Sequence, residues 1–204
     1  MDCSIRLAQV DTTLGNVSAN LDRHLEQIRA AKAYGVDLLV FPELSLTGYF
    51  LKDQTAEVAL ALDSPEMRAL LEASRDVSLV VGFVERAHDE RLYNAAAFLE
   101  DGEIKGVHRK VHLVTYGMFE DARDWAPGEG FAPIDSRHGR FGVLTCEDAW
   151  HVDGAYLYFV DGVDALLIVS SGPGRGVTGE TDELESNLAW RRIQDAYAFL
   201  FGTW

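Results

Sequence analysis

The chain has 204 residues, 48% of them hydrophobic, which is enough apolar material for one sizeable core and a single domain spanning 1–204. Its 33 acidic residues against 18 basic ones give a formal net charge of −15, which argues against a phosphate-tracking surface and so against a nucleic-acid partner. With Cys3 and Cys146 as the only cysteines, a disulfide framework is not expected and a reducing cytoplasm is the natural setting; no apolar run reaches the roughly 18 residues of a membrane span, and MDCSIRLAQV lacks the basic start and apolar stretch of a signal peptide.

Ile5 to Val10 reads as a strand, and Asn16 to Tyr34 as a helix with Val17, Leu21, Leu25 and Ile28 at helical spacing and Gly35 as its stop. Asp37 to Phe41 is a second strand ended by Pro42, so the order is strand, helix, strand, the mark of a crossover unit and an α/β fold. Ser64 and Pro65 start another helix whose apolar face is Met67, Leu70 and Leu71, before a β run from Ser78 to Val84. Leu92–Leu99 and Glu103–Lys110 flank Asp101-Gly102, a hairpin signal, which makes the sheet mixed. Pro127 to Arg137 has loop composition; Phe141–Thr145 and Ala165–Val169 are strands. After the loop SSGPGRGVTGET comes a helix from about Asp182 to Ala198. The final FLFGTW reads as the opening of a further strand, so the domain is expected to lack its last C-terminal elements.

One cysteine at a strand end is ordinarily an inert small hydrophobe. GVLTCEDAW also runs Cys146 straight into Glu147 and Asp148, whose charge disfavours the reactive thiolate. On an extended chain such neighbours point to alternate sides, so activation must come from elsewhere. Two other charged residues follow apolar strands, Glu43 in LLVFPELSLTGY and Lys110 in GVHRKVHL. Ligands of α/β sheets sit outside strand ends, where a carboxylate can take a thiol proton and an ammonium can offset charge that develops on attack.

FPELSLTGY, HRKVHL followed by YGMFED, and LTCEDAW together resemble, in order and spacing, the nitrilase superfamily of carbon-nitrogen hydrolases. The resemblance runs from about Ile5 to the last residue. It implies a four-layer α-β-β-α sandwich and a catalytic triad of Glu43 as general base, Lys110 as the cation on the tetrahedral intermediate and Cys146 as nucleophile, with the Glu147 amide in the oxyanion hole. Many members carry a second glutamate; counting back from Trp125 lands on Asp121, one methylene short, with Glu120 one residue earlier as the alternative. Tyr49 and Tyr116 are expected at the pocket, with core packing the alternative for Tyr49. The resemblance sets the glycine-rich loop at the pocket rim, where Ser171 and Arg175 would meet a substrate carboxylate.

His108 and His112 would suit a metal only on a helix, and their setting is strand and loop, so neither metal nor cofactor is expected; SSGPGRG lacks the pattern of a phosphate cradle. The expected activity is hydrolysis of a non-peptide C–N bond, an amide or N-carbamoyl group, through a thioester. The branch fits an amidase or N-carbamoyl-amine hydrolase best, with a nitrile hydrolase, an ammonia-supplying glutaminase or a catalytically silent binding domain as alternatives. A homodimer or higher homo-oligomer is expected by the same resemblance.

Overall fold

The computed structural model describes residues 2–176 and 183–204. Strand β1 (Ile5–Leu7) pairs in parallel with β2 (Leu38–Val40), and the crossover between them is helix α1 (Val17–Ala33). Asn16 caps α1, its side-chain oxygen accepting from Ala19 N. A single turn, α2 (Thr55–Val58), precedes α3 (Pro65–Ala73), which Ser64 caps through Met67 N. β3 (Ser78–Arg86) lies parallel to β2, after which β4 (Leu92–Glu100) and β5 (Glu103–Arg109) continue the sheet antiparallel. Asp101 and Gly102 both have positive φ, 56° and 79°, the pair of left-handed residues that a two-residue hairpin turn needs.

After the short α4 (Asp121–Asp124) comes a second sheet: β6 (Ile134–Ser136), β7 (Gly139–Thr145), α5 (Val152–Val160) and β8 (Ala165–Val169), followed by α6 (Glu185–Phe201). The strand orders are β1-β2-β3-β4-β5 and β6-β7-β8, both sheets mixed. Alternation along the strands builds the layers. Leu39, Leu79, Val81, Phe83, Ala95 and Ala97 pack with Ile28 of α1 and Met67 and Leu70 of α3. The intervening residues Leu38, Val40, Val80, Ala96 and Phe98 face the second sheet and meet Ile134, Phe141, Val143, Ala165 and Leu167. Leu144, Leu166 and Ile168 turn the other way, toward α5 and α6. Helices, sheet, sheet, helices is the four-layer α-β-β-α sandwich expected. Among the described residues no helix is long and apolar enough to cross a membrane.

Three local readings change. β6 forms inside the stretch read as loop, because Ile134 is buried between the sheets and pairs with Phe141. α5 carried no sequence signal, since VDGAYLYFV is apolar on nearly every side and shows no helical stripe. At the C-terminus Phe199, Leu200 and Phe201 stay helical, and Gly202, φ 62°, ends α6. Strand-like pairing begins only at Trp204, whose O accepts from Leu166 N at 2.8 Å and whose N donates to Asp164 O at 3.3 Å. Asp182, the expected start of the last helix, lies outside the described residues.

Candidate active site

Glu43 leaves β2 through a tight turn, with Leu44 at φ 52°. The turn lies directly on β3 at Gly82, where a Cβ would sit 2.4 Å from Pro42 O and 2.5 Å from Leu44 N. Only glycine lets the two backbones approach so closely. The Glu43 side chain is fully buried, and three donors claim it: Oε1 accepts from Lys110 Nζ at 3.0 Å and Asn94 Nδ2 at 2.8 Å, and Oε2 accepts from Ser171 N at 2.9 Å.

Lys110 follows β5 and is held by backbone bonds on both sides, Lys110 N to Asn94 O and Gly128 N to Lys110 O, each 2.8 Å. Its buried ammonium also donates to Asp121 Oδ2 at 2.8 Å. Burial alone would push this lysine's pKa down, but the Glu43 and Asp121 carboxylates outweigh it and hold the ammonium above the ordinary range. Asp121 is buried, accepts from Tyr49 OH at 2.6 Å and from Val114 N at 3.2 Å, and thus fixes the lysine from the far side. Glu120 is not in the site: its side chain is 76% exposed and faces Arg123. Tyr49 reaches the cluster through Asp121 and packs edge-on against Trp125.

Cys146 follows directly on β7, and here the chain is not extended as the sequence suggested. Cys146 has φ 49° and opens a 3-10 turn, Cys146–Trp150. A non-glycine residue in that region costs roughly 1 kcal/mol or more and persists only where its surroundings impose it. Asp148 imposes it. Its buried Oδ2 accepts from Thr145 N and His108 Nε2, and its Oδ1 from Val111 N and His112 N, at 2.8–3.1 Å. One carboxylate thereby ties the cysteine's turn to the segment that follows Lys110.

The Cys146 thiol is pushed up to about 12 by burial and by Glu43, against the opposing pull of Lys110 and a 3.4 Å bond from Ser170 Oγ. Two buried carboxylates face one ammonium, and a thiolate would add a second uncompensated charge. Burial and the neighbouring carboxylate thus favour the protonated thiol over the thiolate at Cys146.

Above Cys146 opens a cavity of about 300 Å³. Glu147, with Tyr116 OH donating to both its oxygens at 3.0 and 3.1 Å, forms one side, and Trp150, Trp190 and Phe119 supply apolar wall. Arg175 also lines it, its guanidinium carbon 5.9 Å from the Phe119 ring centroid. Ser171 contributes its backbone N–H to Glu43, and its exposed side chain does not join Arg175 as a carboxylate clamp.

The carbon-nitrogen hydrolase family profile matches residues 4–201. The chain belongs to the carbon-nitrogen hydrolase family. It is similar to a glutamine-dependent NAD(+) synthetase of Thermotoga maritima, 36% identical over 174 residues that make up 83% of this chain and 30% of that protein. It is also similar to an (R)-stereoselective amidase of a Pseudomonas species, 37% identical over 146 residues, 71% of this chain and 51% of the amidase. Among solved structures, a glutamine-dependent NAD+ synthetase of Acinetobacter baumannii superimposes with a TM-score of 0.80 at 28% identity, over 95% of this chain and 36% of that one. The chain thus spans about a third of the length of the synthetases it matches.

Several residues of this carbon-nitrogen hydrolase site went unread in the sequence. Asn94 had a visible signal, a lone amide inside the apolar strand LYNAAAFL, because a buried polar group must be satisfied by something. Asp148 stood out in the sequence only as a charge beside Cys146, not as the link to the segment after Lys110. Ser170 and Trp190 gave no local pattern that separates them from ordinary loop and helix residues.

Proposed function

We propose that this carbon-nitrogen hydrolase cleaves a carboxamide through a Cys146 thioester. What carries the reading is the burial of Glu43, Lys110 and Asp121 as one hydrogen-bonded cluster against the Cys146 thiol, under an open cavity. Cys146 Sγ attacks the amide carbon as Glu43 takes its proton. Lys110 Nζ and the Glu147 N–H stabilise the oxyanion, and Glu43 passes the proton to the leaving nitrogen, which departs as ammonia. Glu43 then takes a proton from water, the hydroxide attacks the thioester, and the acid leaves with the thiol restored.

The cavity's charges favour an amide on an amino-acid frame over the broader amidase or N-carbamoyl substrates. Arg175 suits a carboxylate, Glu147 with Tyr116 suits an ammonium, and the tryptophans exclude water from the chain between them. Glutamine has that form, and the synthetases similar to this chain are glutamine-dependent. The test is ammonia release from glutamine, simple amides, N-carbamoyl amino acids and nitriles, with intact-mass detection of an acyl adduct. Glutamine turnover with an adduct that vanishes in Cys146→Ala supports the proposal; no adduct and no ammonia from the folded protein means a silent binding domain.

We also propose that the chain self-associates through its outer helices. Tyr156, Phe159 and Val160 of α5 and Phe199 and Leu200 of α6 are exposed, an apolar surface that a monomer leaves in water.

A further inference from the structure

The residues of the proposed triad follow the C-terminal ends of strands: Glu43 after β2, Lys110 after β5 and Cys146 after β7. A different set of reactive side chains gathers where β1, β2 and β7 begin. Cys3 precedes β1, Asp37 precedes β2, and His138 sits in the turn between β6 and β7. One ligand atom from each, the Cys3 sulfur, a carboxylate oxygen of Asp37 and a ring nitrogen of His138, lies within 4.8 Å of the other two, and all three residues are partly exposed.

We propose that Cys3, Asp37 and His138 form a binding site for a divalent transition metal of the zinc class, with water as the fourth ligand. The donor set is the first support. Thiolate, imidazole and carboxylate together are zinc's ligands, whereas magnesium or calcium would call for oxygens alone. Spacing is the second. Bonds of about 2.0–2.3 Å in a tetrahedron hold ligand atoms roughly 3.3–3.8 Å apart, so closing on an ion takes shifts of about an ångström, within side-chain reach.

Charge is the third support. Cys3 stands beside the Asp37 carboxylate and directly follows Asp2 in the chain, negative charge that a cation would offset. The opposing group is Arg137, whose Nε donates to His138 Nε2 at 3.0 Å. Arg137 keeps other partners if an ion takes that nitrogen, since its guanidinium also pairs with Asp101 at 2.5 Å and lies 3.8 Å from Glu100. Asp37 already accepts from Ser4 N at 2.8 Å, which fixes the carboxylate beside Cys3. Loading forms a sulfur–metal bond and releases the Cys3 proton to solvent, with no change of oxidation state, so affinity must rise with pH. The ion would tie the chain entering the first sheet to a turn of the second.

Cobalt(II) titration of the full chain carrying Cys146→Ala tests this, because Cys3 is then the one thiol. One equivalent should produce near-ultraviolet thiolate-to-metal charge transfer and tetrahedral visible bands, both displaced by zinc. Cys3→Ser should abolish the charge transfer, and His138→Ala and Asp37→Asn should each weaken cobalt binding at least tenfold. Zinc should raise the Tm of the parent but not of Cys3→Ser, and circular dichroism of each metal-free variant checks its fold. No charge transfer at saturating cobalt, or equal affinity in His138→Ala and the parent, overturns the site. Cys3→Ser with Cys146 intact should keep its ammonia release, which separates this proposal from the catalytic one.

Discussion

At the scale of single residues, the unusual quantity is the Cys146 pKa near 12, since a catalytic cysteine is usually activated by lowering its pKa. In the proposed mechanism the same carboxylate that suppresses the thiolate removes its proton during attack. Iodoacetamide should therefore alkylate Cys146 slowly at neutral pH, at a rate that climbs with pH toward 12 without a plateau below about pH 10. The neighbours fix the signs: Glu43→Gln removes a group that raises the thiol pKa and should shift the profile to lower pH, while Lys110→Met removes one that lowers it and should shift it higher. A plateau near pH 7 in the parent would mean a preformed thiolate. Little of this was legible in the sequence. Cys146, Glu43 and Lys110 could be named from their strand-end settings and motifs, but their burial and the excess of carboxylate over ammonium arise only when segments up to 128 residues apart close around Glu43.

Elements carry the site through two buried connections. Asp148 links the turn after β7 to the segment after β5, so Asp148→Ala leaves four donors without an acceptor and should destabilise the protein by about 3–5 kcal/mol in urea, lowering kcat more than it raises KM. His24 joins α1 to the loop beyond Glu43: its Nε2 lies 2.9 Å from Ser45 Oγ, Nδ1 lies 2.7 Å from Asn20 O, and the ring stacks on Phe41. Burial lowers its pKa from 6.5 to about 4. Because the folded value lies below the unfolded one, this contribution is complete above about pH 6.5 and is lost as pH falls toward 4. Between pH 7 and 4.5, unfolding free energy should drop by about 2–3 kcal/mol less in His24→Gln than in the parent. α1 itself was readable because it is capped and amphipathic. α5 was not, because a helix apolar all round has no period to detect, and β6 was not, because three residues in a Gly- and Pro-rich stretch become a strand only by pairing with β7.

For the whole molecule, the four layers follow from alternation in β2, β3, β4, β7 and β8, which gives each sheet two apolar faces and so demands cover on both sides. That demand was implicit in strands that are hydrophobic at consecutive positions, such as Leu38-Leu39-Val40. Which ends of the strands gather chemistry was legible only at the pole of the proposed triad, where each residue sits in a motif; Cys3, Asp37 and His138 have no shared spacing, and only folding brings them together. The exposed apolar surface on α5 and α6 belongs to this scale too. Sedimentation should give a dimer or larger species, and Val160→Glu with Leu200→Glu should shift it toward monomer while preserving the far-ultraviolet spectrum. A monomeric parent at tens of micromolar would refute self-association.

The three donors on Glu43 give the site a parity that a substitution must respect. A carboxylate offers acceptors on both oxygens, and here both are taken, one by Lys110 and Asn94, the other by the Ser171 N–H. Glutamine has the same shape but half the accepting edge, so whichever way its amide turns, an NH2 confronts a donor. Glu43→Gln is isosteric yet mismatched, and should lower stability by about 1–3 kcal/mol besides slowing turnover. Equilibrium unfolding of the variant separates the two effects, and the usual reading of such a swap as a silent probe of base chemistry does not hold in this pocket.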